Sequence, residues 1–274
     1  MRIHFLVARR VPAVPSPVLV EAYDVLRSRG YEVDDAIPEE QAARADVLDP
    51  QHDLYVLKSH TQLALSIAGV LDARGARMLN PYAACVTTQN KIVVSRLLGA
   101  AGVPSPRTWV TGDGTTLAPL VERGPLIVKP HQGHRGAGVS VVHDAPSLAA
   151  AVAAAGGPVV VQEHIPGPGE DLKVYVVGEQ VFAVRKPFSA DSFTLPGRPV
   201  AVDPEVRDIA LSCGRTLGLG LYGLDVIESP DGPVVVDVNY FPGYKGVPGA
   251  GALLADYIDD HARAAGGTVE RWAA

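Results

Sequence analysis

The chain has 274 residues, 47% hydrophobic and 20% charged, enough to bury a sizeable core spread over two or three linked lobes. A net charge of −6 argues against non-specific binding to nucleic acid or anionic membrane and confines any anion-binding surface to a local patch. Two cysteines without CxxC or metal spacing, no apolar run of spanning length, and a start too short for a signal peptide give the expectation of a cytoplasmic protein.

In chain order, "RIHFLVA" (residues 2–8) reads as a strand and "SPVLVEAYDVLRSRG" (16–30) as an amphipathic helix, with Ser16 as N-cap, Pro17 in the first turn and Gly30 past the end. "YEVDDA" and "HDLYVLK" read as further strands, followed by a helix over residues 61–75 and a short strand in "ARMLN". Strands alternating with helices predict a parallel open sheet over residues 1–80, whose ligands sit beyond the carboxyl ends of the strands. Lys58 and the Arg9–Arg10 pair fall at two such ends. Residues 80–110 read as a connector, one helix and a strand, broken at "GVPSP". Then follow strand, glycine-rich loop and strand (124–142), an alanine-rich helix, and the strand "PVVVQEHI" (158–165). A hairpin, "LKVYVVGEQVFAVRKP" (172–187), turns at Gly178–Glu179. A polar loop, a helix over 203–217, a second strand pair around residues 230–232 and a helix from Gly249 complete an antiparallel α+β region.

The chain favours arginine: among 24 basic residues only Lys58, Lys91, Lys129, Lys173, Lys186 and Lys245 are lysines. A compact ammonium on a flexible stem is then kept either by chance or where it matters. Gly133, Gly136 and Gly138 form KPxxGxxGxGV directly after a strand. Glycines there let backbone N–H groups approach phosphate oxygens, and Lys129 beside them suits the same anion. The alternative is an ordinary flexible hairpin, with His131 and His134 as polar loop residues. Asp225 lies within one strand of the last pair and Asp237 near the end of its partner; Asn239, two residues on, shares the face of Asp237. Two carboxylates and a carboxamide are the hard oxygen set that Mg²⁺ prefers. An Asx-type turn before Pro242 is the plainer reading of Asp237 and Asn239, and it leaves their alignment with Asp225 unexplained. Lys173 and Lys186 on facing strands, with Arg185 beside them, are either solvated or placed where a γ-phosphate meets an acceptor. Glu163, at a strand end, suits the edge of an adenine or ribose pocket, and Glu170 or Asp171 a ribose hydroxyl.

Lys91, then Lys129–Pro130 with its glycine loop, "VVVQEHI", the "LKVYVVGE" hairpin, and Asp225 with "DVN" at 237–239, taken in that order, resemble the ATP-grasp superfamily. The resemblance implies an ATP-grasp fold, α/β and α+β in class: a Rossmann-like pre-ATP-grasp parallel-sheet domain (1–80), a central lobe with the glycine loop (81–165) and a carboxyl-terminal lobe with the metal site (166–274). It implies that Lys91 and Lys129 bind phosphates and that Gln162, Glu163, His164 and Ile165 hold the adenine. Asp225, Asp237 and Asn239 would hold one or two Mg²⁺, with Mn²⁺ as an alternative. Two relatives compete. The glycine-loop spacing, "QEHI" and "EDLKVYVVGEQVFAVRK" resemble RimK-type ligases, which activate a carboxylate as an acylphosphate and pass the acyl group to an amine; these usually have Glu in place of Asp237. "DVNYFPGYKG", and Lys58 after its strand, resemble inositol tris/tetrakisphosphate kinases. A highly phosphorylated substrate needs a dense basic pocket, and this acidic chain offers few cations outside the lysine set, so ligase is placed ahead of kinase. A catalytically silent nucleotide-binding module is a third reading. Arg9, Lys58, His134, Gly243 and Lys245 are the candidate substrate contacts. The expected partner is a small molecule or peptide, not nucleic acid or membrane, with a homodimer left open.

Overall fold

The computed structural model describes residues 1–10, 14–133, 137–187 and 197–264. The chain begins with β1 (Arg2–Leu6), α1 (Pro17–Ser28), β2 (Glu32–Ala36), β3 (Leu54–Leu57), α2 (Gln62–Ala73) and β4 (Met78–Leu79). The four strands form a parallel sheet in the order β2-β1-β3-β4, as the alternation of strand and helix predicts. Ser16 does occupy the N-cap of α1, but its side chain makes no capping bond; Thr61 caps α2 by accepting from the Ala64 N–H.

Between residues 80 and 110, where a single helix is expected, there are two: α3 (Tyr82–Gln89) and α4 (Lys91–Ala100). Asn90 breaks them, because its side-chain oxygen accepts from the Ile92 and Val93 N–H groups and so starts a new helix at Lys91.

Next come β5 (Thr108–Thr111), α5 (Ala118–Val121), β6 (Leu126–Pro130), β7 (Ser140–Val142), α6 (Ala145–Ala154) and β8 (Val159–Glu163). Their strands form an antiparallel sheet, β5-β8-β6-β7, whose own small core joins Val121, Leu126, Val128, Val142, Leu148, Val152, Val159 and Val161. The last region holds β9 (Glu170–Val177), β10 (Gln180–Pro187), β11 (Arg198–Val200), α7 (Pro204–Leu217), β12 (Leu221–Ser229), β13 (Gly232–Tyr240) and α8 (Ala250–Arg263). Its antiparallel sheet runs β11-β10-β9-β12-β13.

One large core joins the parallel sheet to this last sheet, and Ala84, Cys85, Val94 and Leu98 of α3 and α4 belong to it. The apolar faces of α3 and α4 thus contribute to this core, which is separate from that of the small sheet. α8 lies against α1 so closely that a Cβ at Gly251 would meet the Glu21 side chain at 2.5 Å. Arg29 joins them by pairing with Asp256 and, at 3.0 Å, with Asp259. Asn80, fully buried, bonds the backbone of Gly220 and Leu221 and ties β4 to the start of β12. Cys85 and Cys213 are free and buried.

Candidate active site

Register across the large antiparallel sheet decides which side chains can meet. Asp225 on β12 stands opposite Asp237 on β13 and opposite Lys173 on β9, while Asp171 stands opposite Lys186 on β10. Directly opposed residues and residues two apart share a face, so Asp171, Lys173, Lys186, Asp225, Asp237 and Asn239 all lie on one side of the sheet. The opposite side of β13 carries the buried Val235, Val238 and Tyr240.

β13 carries a bulge in the middle of this row. Val235 pairs with Val226 and Asp237 with Asp225, leaving Val236 as the extra residue. Its carbonyl is then available to a partner outside the sheet, and Lys129 of β6 donates to it at 3.0 Å. Lys91, at the first position of α4, pairs with Asp237 and hydrogen-bonds through its backbone N–H to the His131 carbonyl at 2.9 Å. The two lysines thus reach adjacent residues of β13, one from α4 and one from the small sheet. Lys91, Gln162 and Asp237 line one cavity together with Val235, Val236 and Val238.

The electrostatics are those of a crowded, half-dry site. Burial pulls the Lys129 ammonium below its ordinary value, against Asp237 and helped by Lys91. Burial likewise lowers Lys186, reinforced by the neighbouring ammoniums of Lys173 and Lys245. Burial alone would lower Lys173 too, but Asp225 and Asp171 outweigh it and hold the ammonium well above its usual range. The pairs are close, 2.8 Å to Asp225 and 2.9 Å to Asp171. Burial raises the Asp225 carboxyl, against the pull of Lys173 and with Asp237 adding to the rise. Two facing carboxylates, Asp225 and Asp237, with Asn239 3.4 Å from Asp237, form a hard oxygen set that a divalent cation would neutralise, so the residues present fit Mg²⁺.

Other candidates are placed elsewhere. Arg185 faces the opposite side of the sheet and pairs with Glu228 at 2.6 Å, since adjacent residues of a strand cannot share a face with each other. Glu170 lies on that side as well, 3.9 Å from Arg185, so of the two acids only Asp171 joins the site row. Glu163 is committed to Arg107, accepting from its backbone N–H at 2.9 Å and its Nε at 2.7 Å. Gln162 is buried and donates to Thr108, the exposed His164 bonds the Pro125 carbonyl through its backbone, and Ile165 is half-buried at the strand's exit. Arg9 pairs with Glu40 at the surface.

Lys58 reaches the last turn: its ammonium donates to the carbonyls of Phe241 and Pro242 at 3.1 and 3.3 Å and lies 5.0 Å from the Phe241 ring centroid. That turn is strained, with Phe241 at φ 38° and Tyr244 at φ 50°, both buried. At Gly243 an added Cβ would make only ordinary contact, 3.8 Å from Lys245, so space does not demand glycine there. Gly138 is different: with φ +73° and Pro130 2.8 Å from a built Cβ, it packs directly against the Lys129–Pro130 strand end. Gly133 has room for a side chain, and His134 and Gly136 lie outside the described residues. The Val236 carbonyl and the pairing of Asp171 with Lys173 had no motif to announce them, one being main chain and the other a matter of register.

Two antiparallel sheets bridged by lysines beside paired carboxylates, preceded by a parallel sheet, define the ATP-grasp class. Solved structures share this fold. The crystal structure of a RimK domain ATP-grasp protein from Sphaerobacter thermophilus aligns with a TM-score of 0.74 at 24% identity, over 94% of this chain and 99% of that one. The ATP-grasp ligase PsnB, complexed with a minimal precursor, Mg and ADP, aligns at 0.66 and 20% identity over 94% and 96%. A probable alpha-L-glutamate ligase of Xanthomonas campestris is 32% identical over 219 residues, 74% of this chain and 75% of the relative. A family model for the RimK-like ATP-grasp domain matches residues 88–255. The chain belongs to the RimK-like ATP-grasp family. Its activity is ATP-dependent carboxylate–amine ligation, and the kinase alternative is not favoured. Among the described residues no helix is long and apolar enough to cross a membrane.

Proposed function

We propose that this chain joins an α-amino acid, through its amine, to a carboxylate of a small molecule or peptide, in three cooperating lobes that follow the sheets. The donor class is inferred from the 32% identical relatives, which are named for glutamate, and the peptide alternative from PsnB, which was crystallised with a precursor peptide. The observation that carries the reading is the single sheet face on which Asp225, Asp237 and Asn239 stand beside Lys173, with Lys91 and Lys129 reaching the same strand.

Bound at this face, ATP with Mg²⁺ as counter-charge would supply the γ-phosphoryl group that turns a carboxylate into an acylphosphate with release of ADP, from which an amine would displace phosphate to give an amide. Asp225, Asp237 and Asn239 would hold the metal. Lys91 and Lys129 would hold phosphate oxygens, and the backbone around Gly138 would fold over them. Lys173 keeps Asp171 and Asp225 compensated and so fixes the acids in place. Lys186 and Lys245, the second close enough to help lower the first, would form a cationic corner for the carboxylates of an acidic amino acid. Lys58 holds the 241–242 turn that follows the metal ligands.

The test combines candidate carboxylates and amino acids with MgATP, following ADP release and product mass. Loss of water between the two reactants, with free phosphate, is expected, as is a hydroxamate when hydroxylamine replaces the amine. A stable phosphorylated product without free phosphate would refute the ligase reading. Asp237→Ala and Lys129→Ala are each expected to lower ADP formation by at least about 100-fold while the protein stays folded. Retained turnover in both would dismiss these site residues.

A further inference from the structure

We propose that His4, Asp34 and His52 form a binding site for one divalent transition ion of the zinc class, held on the parallel sheet apart from the ATP chemistry. His4 of β1 and Asp34 of β2 are register partners on adjacent strands, and His52 precedes β3, the other neighbour of β1. Both imidazoles converge on one carboxylate. His4 Nδ1 contacts Asp34 Oδ1, and His52 Nε2 lies 3.0 Å from Asp34 Oδ2. One ligand atom from each residue lies within 4.8 Å of the other two. Ligands of a tetrahedral zinc ion, at bonds of about 2.0–2.2 Å, stand about 3.4 Å from one another, so small side-chain rotations bring these three atoms to coordinating distance.

The setting favours an ion over a plain acid–imidazole contact. The histidine side chains are 17% and 11% exposed, the Asp34 side chain 54%, which gives a rigid, mostly dry base with an open side for water as a fourth ligand. Tyr55 frames both rings edge-on, with centroids 5.6 Å from His4 and 5.5 Å from His52. Its hydroxyl accepts from the Gln51 N–H at 2.8 Å and lies 3.4 Å from His52 Nδ1, which turns Nε2 towards Asp34. That is the outer-shell support metal-bound histidines use. The Arg2 guanidinium, 3.4 Å from His52 Nε2, is the cation an incoming ion displaces; it also pairs with Glu32 at 3.6 Å and bonds the Gln51 carbonyl, so it keeps partners when it withdraws. Two imidazoles and one carboxylate suit Zn²⁺ and its neighbours, not Mg²⁺.

The site lies at the middle of β1 and β2 and just ahead of β3, whereas Lys58 follows the carboxyl end of β3, so the ion would tie these three chain segments together and act on stability. This inference does not depend on the ligase reading. The test uses the full chain stripped with chelator and titrated with ZnCl₂ under excess Mg²⁺, read by calorimetry and by thermal unfolding. One equivalent is expected to bind the wild type, with an unfolding temperature that rises with zinc concentration. His4→Gln and His52→Gln should each weaken binding by more than the roughly 10- to 100-fold typical of outer-shell changes. Asp237→Asn should leave it unchanged. Absence of zinc binding by the wild type overturns the proposal whatever the variants do. So does binding that persists undiminished in the folded histidine variants, or that disappears in Asp237→Asn.

Discussion

Lys173 sits between two carboxylates, and this arrangement changes what the residue can do. Its side chain is 13% exposed and its ammonium bonds both Asp171 and Asp225. The sequence suggests a cation for a γ-phosphate; the register makes it first a counter-charge. Replacing it with methionine leaves two half-dry acids unpaired, a change that costs about 3–5 kcal/mol when one member of a buried ion set is removed. Lys173→Met should therefore lower the urea midpoint sharply, while Lys173→Arg keeps most of it; an unchanged midpoint in Lys173→Met would assign the two acids other compensation. Period-two reasoning carries Asp237 and Asn239 to one face from the sequence alone. The same reasoning, applied strictly, excludes Arg185 from the face of Lys186. What no residue pattern can give is a main-chain partner such as the Val236 carbonyl, because every residue has one.

Among the elements, α1 and α8 are held by a polar clamp as well as by close packing. Burial alone would raise the Asp259 carboxyl, but the Tyr31 hydroxyl, Arg263 and Arg29 outweigh it and hold it below its ordinary 3.8. A carboxyl lowered on folding contributes stability above its unfolded value, and that contribution is lost as pH falls through the folded one. Urea unfolding from neutral pH to below 3.8 should show stability falling with acid, and Asp259→Asn should flatten that slope. Equal slopes would remove Asp259 from the acid response. Strand and helix types follow closely from hydrophobic period and from Gly and Pro punctuation. The short α5 and β11 escape that reading, as does the split of α3 from α4, which comes from Asn90 competing for its own backbone, a side-chain bond that periodicity does not register.

At the scale of the molecule, there are two cores of unequal size. The small antiparallel sheet rests on a handful of valines and leucines, and Leu148 at its centre is fully buried. Leu148→Ala should cost that sheet about 2–5 kcal/mol. Because the cores are separate, amide exchange should accelerate across β6, α6 and β8 while the parallel sheet keeps its protection. Uniform acceleration would mean that the two cores unfold as one. Motifs in the sequence suggest regions, but which core a helix joins depends on its apolar face, and α3 and α4 contribute Ala84, Cys85, Val94 and Leu98 to the large one.

The extra residue in β13 has a use for the experimenter. Asp237 already stands opposite Asp225, and Val235 opposite Val226, so excising Val236 would leave both pairings in phase and straighten the ladder. The acids would keep their partners, while the protruding carbonyl that receives Lys129 would vanish. Such a shortened chain is expected to show a raised KM for ATP with an unaltered Mg²⁺ midpoint, whereas a shift in both would tie the two functions together. A single-residue deletion inside a strand, ordinarily the most disruptive edit a sheet can suffer, becomes here a scalpel that separates phosphate docking from metal binding.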